Sequence, residues 1–295
     1  MINRFDHVFS FIKGNNLDAT LERMKRAGFL LADQKVRHPA GHLNGFVRMM
    51  GSYLEFISIV DEAEYERDTP IGDRPFREKP QIFGIGAVAS DIQAVHDRLI
   101  FKYPEINPPY SRGRADLPNS PPLWTFCKLP PESLPGAFVF ALKYHNARTE
   151  ELQVGPNRIF ALGGLYFCTS AALERTERWR STMRDACVSV EIEEGGIGMG
   201  FQTFHWIAPE RYEELFGEEW APVESSIGEV AAAILLTDDI ETSISFLEAN
   251  GFNVGKRIPG GATFKKDLET GYAFVLKSVD LAVTQSRILE ALNKS

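Results

Sequence analysis

Cysteines are scarce in this chain, and long apolar runs are missing. Its 295 residues contain three cysteines, Cys127, Cys168 and Cys187, an odd number without the spacing of a metal site. A disulfide-stabilised secreted fold is therefore not expected, and reduced thiols in a cytoplasmic protein are the plain interpretation. Because no apolar stretch has the length of a membrane-spanning helix or the form of a signal peptide, we expect neither a membrane partner nor export.

Positive charge is also scarce. Lys and Arg number 32 against 40 Asp and Glu, a formal net charge of −8. A broad nucleic-acid surface needs clustered basic residues, so no nucleic-acid partner is expected. The glycines at 195, 196, 198 and 200 lack the Lys-Ser/Thr end of a phosphate-binding loop, and a hairpin is favoured there. No Gly-x-Ser-x-Gly motif occurs. The chain therefore offers no nucleotide cofactor site and no serine nucleophile.

An internal repeat is the most informative feature that is present. Residues 17–29 align without a gap on residues 240–252, with apolar residues at positions 1, 5 and 8 of each copy and Gly-Phe at the end of both. This spacing predicts one apolar helix face, and glycine after a helix can take the left-handed backbone that turns the chain back. Strand-like runs flank both copies, at 7–12, 52–59, 230–236 and 272–277. The repeat predicts a module of strand, helix and further strands.

Two less regular stretches resemble the same module, which makes four modules in all. We therefore predict an α+β fold of two domains, residues 1–148 and 158–295, joined by a polar linker that contains Gly155-Pro156. Nine of the 17 prolines lie between positions 104 and 135. Since each proline removes a donor from a strand ladder, residues 102–135 are interpreted as an irregular excursion over one end of the second module. It carries binding function or is an inert insertion.

One strand carries an acidic residue where its counterparts carry a ring. Aligned by pattern, the final strands of the modules place Glu55 at the position of Phe274 and Phe140. A carboxylate on such a buried face must be paired, ligate a metal or become protonated, because an unpaired buried charge is costly. His7, on the first strand of the same module, is the natural neighbour. Glu55 and His7 are therefore the first candidates for a site.

At these residues the chain resembles the vicinal oxygen chelate superfamily, and within it the glyoxalase-like domain family. The similar segments come in the family's order and span nearly the whole chain. They are Asp6-His7-Val8, His38-Pro39-Ala-Gly41-His42-Leu-Asn44, Tyr53-Leu54-Glu55, Arg112 or Arg114 with Asp116 and Trp124, Pro135-Gly-Ala-Phe138, and residues 206–217. The resemblance implies tandem βαβββ modules (four) that form two half-barrel domains around a small-molecule cavity.

The resemblance also implies where a metal would bind. Metal-using members take His and Glu ligands from the first and last strands of their modules, and His7 and Glu55 lie at such positions. The corresponding residues of the second module, about Ile85 and Phe140, cannot ligate. Divalent metal sites usually need at least three protein donors. Two alternatives stay open, a metal site completed by another histidine and a metal-free, hydrogen-bonded pair of His7 and Glu55.

The candidate substrate contacts come from the same segments. They are His38, Asn44, Tyr53, Arg112, Arg114 and Trp124, where the two arginines bring positive charge over a ligand or are merely solvated. One functional hypothesis is an isomerase, lyase or dioxygenase that uses a divalent metal, with Glu55 as the candidate catalytic base. The alternative is a metal-free protein that binds or sequesters a small molecule. Because the superfamily often pairs modules between chains, a homodimer is a further expectation.

Overall fold

The computed structural model describes residues 1–38, 40–68, 74–112, 121–145, 153–187, 190–193 and 196–293. The first module begins with strand β1, and the second begins with β6. Module one contains β1 (Ile2–Phe11), α1 (Leu17–Arg26), β2 (Leu30–Leu31), β3 (Val36–Arg37), β4 (His42–Met49) and β5 (Ser52–Ile59), followed by α2 (Glu62–Asp68) and α3 (Arg74–Glu78). Module two contains β6 (Gly84–Ala89), α4 (Ile92–Leu99), β7 (Tyr110–Arg112), β8 (Trp124–Lys128) and β9 (Phe138–Tyr144).

The third and fourth modules repeat this order. Module three contains β10 (Ile159–Cys168), α5 (Ala172–Ala186), β11 (Glu191–Glu193), β12 (Gly196–Met199) and β13 (Gln202–Ile207), followed by α6 (Pro209–Phe216). Module four contains β14 (Val230–Thr237), α7 (Ile240–Ala249), β15 (Val254–Ile258), β16 (Gly261–Phe264) and β17 (Phe274–Ser278), followed by α8 (Leu281–Asn293).

The helix repeat seen in the sequence is confirmed. Helices α1 and α7 begin at equivalent positions, and each is capped by a side chain that accepts a backbone N–H, Asn16 for α1 and Asp239 for α7. After both helices the glycine of the Gly-Phe pair, Gly28 or Gly251, has a φ near +80°. Only glycine takes this conformation without strain, so the two chain reversals have the same cause.

Each pair of modules forms one sheet. The first sheet has the order β2-β4-β5-β1-β6-β9-β8-β7, with β3 paired to β4, and the second has the order β11-β12-β13-β10-β14-β17-β16-β15. In the first sheet β1 is parallel to β5 and antiparallel to β6, and in the second β10 is parallel to β13 and antiparallel to β14. The predicted α+β fold of paired βαβββ modules is confirmed. The division into domains at 148 and 158 stays a prediction.

The proline-rich segment differs from its prediction. Strands β7 and β8 lie within it and pair with each other, and β8 continues the sheet through β9. Both strands fall in stretches without proline, so the ladder donors that proline would remove are retained. The segment is therefore an irregular excursion only in part, because it also supplies the middle strands of the second module.

One face of each sheet packs in a shared core. Phe5 of β1 lies 4.4 Å from Phe204 of β13 between ring centroids, and the Gln202 side chain both accepts from the Phe5 N–H and donates to its carbonyl at 2.8 Å. The same buried cluster contains apolar residues of α1, α4, α5 and α7. The opposite faces are called the first trough (His7, Phe9, Glu55 and Phe140) and the second trough (Gly164, Tyr166, His205 and Val275).

The second trough is covered by helices. Tyr212 and Phe216 of α6 and Ile288 of α8 are at most 1% exposed and pack with Ile234 and Val275 of the sheet. In the first trough, Tyr65 of α2 packs against Phe11, and Phe76 of α3 packs against Phe83. Among the described helices, none combines the length and the apolar character needed to cross a membrane.

Candidate functional site

Strand register brings the two main candidate residues together. Parallel pairing of β1 with β5 sets His7 opposite Tyr53 and Phe9 opposite Glu55. His7 Nε2 lies 3.5 Å from Glu55 Oε2, and the two residues are 3% and 7% exposed. The Tyr53 ring stacks on the His7 ring, with centroids 4.4 Å apart and an interplanar angle of 11°. The site therefore contains a buried imidazole between an aromatic ring and a carboxylate.

Two glycines of the neighbouring strand make room for the rings of β1. A Cβ added at Gly86 would lie 2.0 Å from the His7 ring, and one added at Gly84 would lie 1.8 Å from the Phe9 ring. Both rings lie flat across β6, which any larger residue at these positions would prevent. The sequence signal for this close approach is Gly-Ile-Gly at 84–86 inside an otherwise apolar strand.

Asp6 is a site residue that sequence reasoning missed. The register of β1 against β6 shifts between Phe5 and His7, so strict alternation along the strand does not hold at Asp6. Its carboxylate is 0% exposed, and Asp6 Oδ2 lies 3.1 Å from His7 Nδ1. Arg4 donates to Asp6 Oδ1 at 2.5 Å, and the Tyr144 hydroxyl donates to Asp6 Oδ2 at 2.6 Å. Asp6 therefore orients the His7 ring and is itself compensated by a buried guanidinium.

A second hydrogen-bonded chain holds Glu55. Asn44 Nδ2 donates to Glu55 Oε1, and His42 Nδ1 lies 2.5 Å from Asn44 Oδ1. An amide oxygen only accepts, so His42 must present an N–H to Asn44, and the amide is thereby turned with its donor toward the carboxylate. The His38 ring stacks on His42 at 4.5 Å between centroids. His38 and Asn44, two of the predicted substrate contacts, therefore belong to one series of side-chain contacts that ends at Glu55.

The first trough contains a cavity of two adjoining chambers. The outer chamber has a volume of about 650 Å³ and is lined by His7, Tyr53, Tyr144 and Arg48, among others. The inner chamber has a volume of about 140 Å³, and its wall consists mainly of aromatic rings, among them Phe9, Phe11, Phe83, Phe126 and Phe138. The residues common to both walls are His38, Glu55, Trp124 and Phe140.

Most of the predicted contact residues reach this cavity. His38 and Trp124 line both chambers, Tyr53 lines the outer one and Asn44 the inner one. Arg112 ends β7, but its side chain lies outside the described part of the structure, as do Arg114 and Asp116. The predicted roles of these two arginines therefore stay predictions.

The strand register corrects two of the equivalences drawn from sequence. Strands β1 and β6 are antiparallel, with His7 paired to Gly86 and Phe9 paired to Gly84. When the first module is superposed on the second, Gly84, not Ile85, lies at the position of His7. Phe140 is the equivalent of Glu55, as predicted. In the fourth module, pairing of Ile234 with Val275 makes Val275 the equivalent, and the alignment of Glu55 with Phe274 was wrong by one residue. A one-residue slip turns a side chain to the other face of a sheet.

The donor set does not fit a divalent metal held by three protein ligands. The second module offers Gly84 and Phe140 where further ligands would lie, and neither has a donor side chain. Asp6 and Glu55 approach opposite nitrogens of the one His7 ring, so the three residues share no common point. Within the described ranges, no group of three or more His, Cys, Asp or Glu side chains is placed to hold a metal ion.

The buried thiols are poor nucleophiles. Cys127, Cys168 and Cys187 are free and buried. Burial raises the pKa of Cys127 to about 11 and that of Cys168 to about 12. Because the thiolate is the reactive form, neither thiol supports nucleophilic chemistry near neutral pH.

In the second trough the equivalent positions have no acid–base pair. Gly164 replaces His7 and His205 replaces Glu55. His205 stacks on Tyr166 with ring centroids 5.0 Å apart. Burial lowers the pKa of His205 to about 4, with a smaller contribution from the charge of Lys277. This histidine is therefore a neutral packing residue near neutral pH.

Paired βαβββ modules around a cavity define the vicinal oxygen chelate class. Residues 5–183, more than half of the chain, match the family described as "Glyoxalase-like domain", and the chain belongs to this family. No curated protein sequence matches the chain.

Solved structures share the fold along nearly the whole chain. A hypothetical protein from Staphylococcus aureus is 11% identical, with 93% of this chain and 99% of that chain covered and a TM-score of 0.61. A mutant of 4-hydroxymandelate synthase from Streptomyces coelicolor is 13% identical, with coverage of 99% and 98% and a TM-score of 0.60. A catechol 2,3-dioxygenase is 12% identical, with coverage of 95% and 88% and a TM-score of 0.52. At these identities the likeness concerns the fold alone.

Proposed function

We propose that the first trough binds a small organic molecule that has an aromatic ring next to an oxygen-bearing group, and that it does so without a metal. The two adjoining chambers that meet at Glu55 carry this proposal, because the wall of one is mainly aromatic and the wall of the other combines apolar with polar side chains. A mostly apolar pocket with a few convergent polar groups is the usual form of a small-molecule site.

The inner chamber has the size and chemistry for one ring. An apolar cavity of about 150 Å³ accommodates a benzene molecule, and the inner chamber is of similar volume. Phe9, Phe83 and Phe138 offer edges and faces to a bound ring, which aromatic pairs prefer over parallel sandwiches. Two of the structural neighbours are named for aromatic compounds, 4-hydroxymandelate and catechol, which agrees with this choice of ligand class.

The polar end of the ligand would lie at the junction of the chambers. There the ligand meets His7 and Glu55, and the Tyr53 hydroxyl, 3.3 Å from the Tyr144 hydroxyl, lies on the same wall. These groups are hydrogen-bond donors and acceptors of fixed orientation, and such groups set specificity in an otherwise apolar pocket. The metal-assisted isomerase, lyase or dioxygenase of the sequence hypothesis has less support, since two donors do not complete a site.

A binding titration tests the proposal. Phenylacetone has the ring and the carbonyl, and butanone has only the carbonyl. Burying a ring is worth roughly 1.5–3 kcal/mol, so phenylacetone should bind at least about tenfold more tightly. The substitution Ile57→Phe fills the inner chamber and should remove this advantage. Dissociation constants measured by calorimetry, with and without EDTA, should be equal if no metal takes part.

The second sheet supplies the matched control. Ile207 lies in the second sheet at the position that Ile57 has in the first. Ile57 pairs with Phe11 of β1, and Ile207 pairs with Cys168, the equivalent residue of β10. Ile207→Phe adds the same ring outside the cavity and should leave the preference for phenylacetone unchanged. Equal affinities of wild type for the two ketones, or loss of binding on addition of EDTA, would contradict the proposal. The homodimer and the cytoplasmic location stay predictions.

A further inference from the structure

We propose that Lys128 makes the first trough selective for aromatic acids, so that the bound ring carries a carboxylate at its inner end and its oxygen-bearing group at the junction of the chambers. The inference rests on the proposed function, because it requires a ring in the inner chamber. Lys128 lines that chamber and is the residue that recognises the acid.

Lys128 stands at a position where the other three modules carry no charge. In each module this position lies on the strand next to the last one, opposite Glu55 or the residue equivalent to Glu55. The four pairs are Phe46 with Glu55, Lys128 with Phe140, Gly196 with His205 and Thr263 with Val275. Among these four positions, all within the described residues, Lys128 is the one that carries a cation. The second module therefore brings an ammonium group to a place where the fold itself does not require one.

The ammonium group of Lys128 lies deeper than the junction. The backbone of Lys128 pairs with Phe140, which borders both chambers. Lys128 Nζ, however, lies 5.8 Å from the ring centroid of Phe138, which borders the inner chamber but not the outer one. Phe138 and Phe140 are two residues apart on β9 and therefore share a face. The lysine side chain thus extends from the junction toward the inner end of the chamber.

The polar groups of the inner chamber come from two modules that face each other. The His38 ring of the first module lies 5.8 Å from the Trp124 ring of the second, between centroids, so the two rims of the trough meet at the junction. Of the charged side chains in the wall, Glu55 of the first module borders both chambers, and Lys128 of the second borders the inner one. A ring held between the modules can therefore present one substituent to the junction and another to Lys128.

An ammonium group in an aromatic wall favours an anionic ligand. Lys128 is half-buried, and the wall around it consists mainly of rings. Ring faces attract an ammonium group only modestly, whereas a carboxylate accepts charge-assisted hydrogen bonds from it. The three donors of the ammonium group sit on a flexible stem, so they can turn toward a bound acid. Lys128 therefore stabilises an acidic ligand more than a neutral one.

A carboxylate suits this position better than a phenolic hydroxyl. At neutral pH a carboxyl group is ionised, since its ordinary pKa is near 4, whereas a phenol with a pKa near 10 remains neutral. Only the carboxylate brings a full negative charge to Lys128. The inner chamber opens into the outer one, so a substituted ring has room to place its other end at the junction. The ligand class is therefore an aromatic carboxylate with an oxygen-bearing side chain across the ring.

Two derivatives of phenylacetone that differ only in charge test the inference. In one the ring carries a para carboxylate, and in the other it carries a para carboxamide of the same shape. Dissociation constants are measured by calorimetry at neutral pH. Wild type should bind the carboxylate at least about tenfold more tightly than the carboxamide.

Substitutions at Lys128 assign this preference to its charge. Lys128→Met keeps the length of the side chain without the charge, and the two compounds should then bind within about threefold of each other. Lys128→Gln should lose the preference to the same degree. In both variants the dissociation constant of the carboxamide should stay close to the wild-type value. The control Lys143→Met removes the charge of an exposed residue of β9 outside the cavity wall and should keep the full preference.

The outcomes separate the two proposals. If phenylacetone binds but wild type does not prefer the carboxylate, or binds neither derivative, the inference is overturned and the proposed function stands. A preference that survives in Lys128→Met also overturns it, because another group then recognises the acid. Loss of carboxamide binding in both Lys128 variants would show that the side chain only supports the wall, with the same consequence. If neither phenylacetone nor its derivatives bind to wild type, the proposed function fails and the inference with it.

Discussion

The two troughs of the molecule are built from the same kind of module, but one contains a cavity and the other is filled by side chains. In the first, His7 and Glu55 lie beside an open cavity, whereas in the second Gly164 is buried and His205 is half-buried beside a packed apolar cluster. The helices that follow the strands differ between the two sheets. Helices α6 and α8 follow the last strands of their modules and cover the second trough. A fold of this kind gives two potential sites, and the connecting segments decide which is open.

The largest effects should come from removing the side chains that fill the second trough. Phe216 of α6 is 0% exposed, so Phe216→Ala should lower the free energy of unfolding by about 4 kcal/mol. Phe138 is half-buried and already borders the inner chamber, so Phe138→Ala should cost roughly half as much. Urea unfolding of both variants measures the difference. Equal losses would mean that the two troughs are packed alike.

The next largest effect concerns the glycines beneath His7 and Phe9. Gly86→Ala places a methyl group against the His7 ring and should lower the free energy of unfolding by about 3 kcal/mol. In a His7→Ala background the ring is absent, so the same substitution should cost less than about 1 kcal/mol. A double-mutant cycle in urea isolates this coupling. An additive cycle would show that the ring does not lie over Gly86.

A smaller effect should appear as pH falls, and it should come from the second trough. The native pKa of His205 is lowered to about 4 from an ordinary value near 6.5, so the unfolded chain binds the proton first. The contribution of neutral His205 is complete above about pH 6.5 and is lost as pH falls toward 4. Between pH 7 and 4.5, wild type should lose on the order of 2 kcal/mol more than His205→Gln. Parallel curves for the two proteins would contradict the burial of His205.

Most of the fold could be predicted from sequence, because it depends on local patterns. The 17–29 and 240–252 repeat, with Gly28 and Gly251 after the helices, indicated the modules and their helices. The strands β7 and β8 were harder, since nine prolines in the segment concealed two short proline-free runs. Tertiary pairing, not local preference, makes these runs strands.

The candidate site could be predicted only in part. His7 and Glu55 stood out as polar residues on apolar strands, and the strand pairing brings them within 3.5 Å. Asp6 was missed because a register shift next to it breaks the two-residue period on which the sequence argument relied. The Phe274 equivalence was wrong for a related reason, since one residue of slip exchanges the two faces of a strand. Cavity volume has no sequence signal at all, because it depends on which helices cover a sheet.

A crystal structure of the protein soaked with phenylacetone, collected without added metal, tests the central claim most directly. The account predicts the ring in the inner chamber among Phe9, Phe83 and Phe138, with the carbonyl oxygen toward His7 Nε2 and the methylene carbon toward Glu55. Phenylacetone found only outside the first trough, or a metal ion bound between His7 and Glu55, would contradict it.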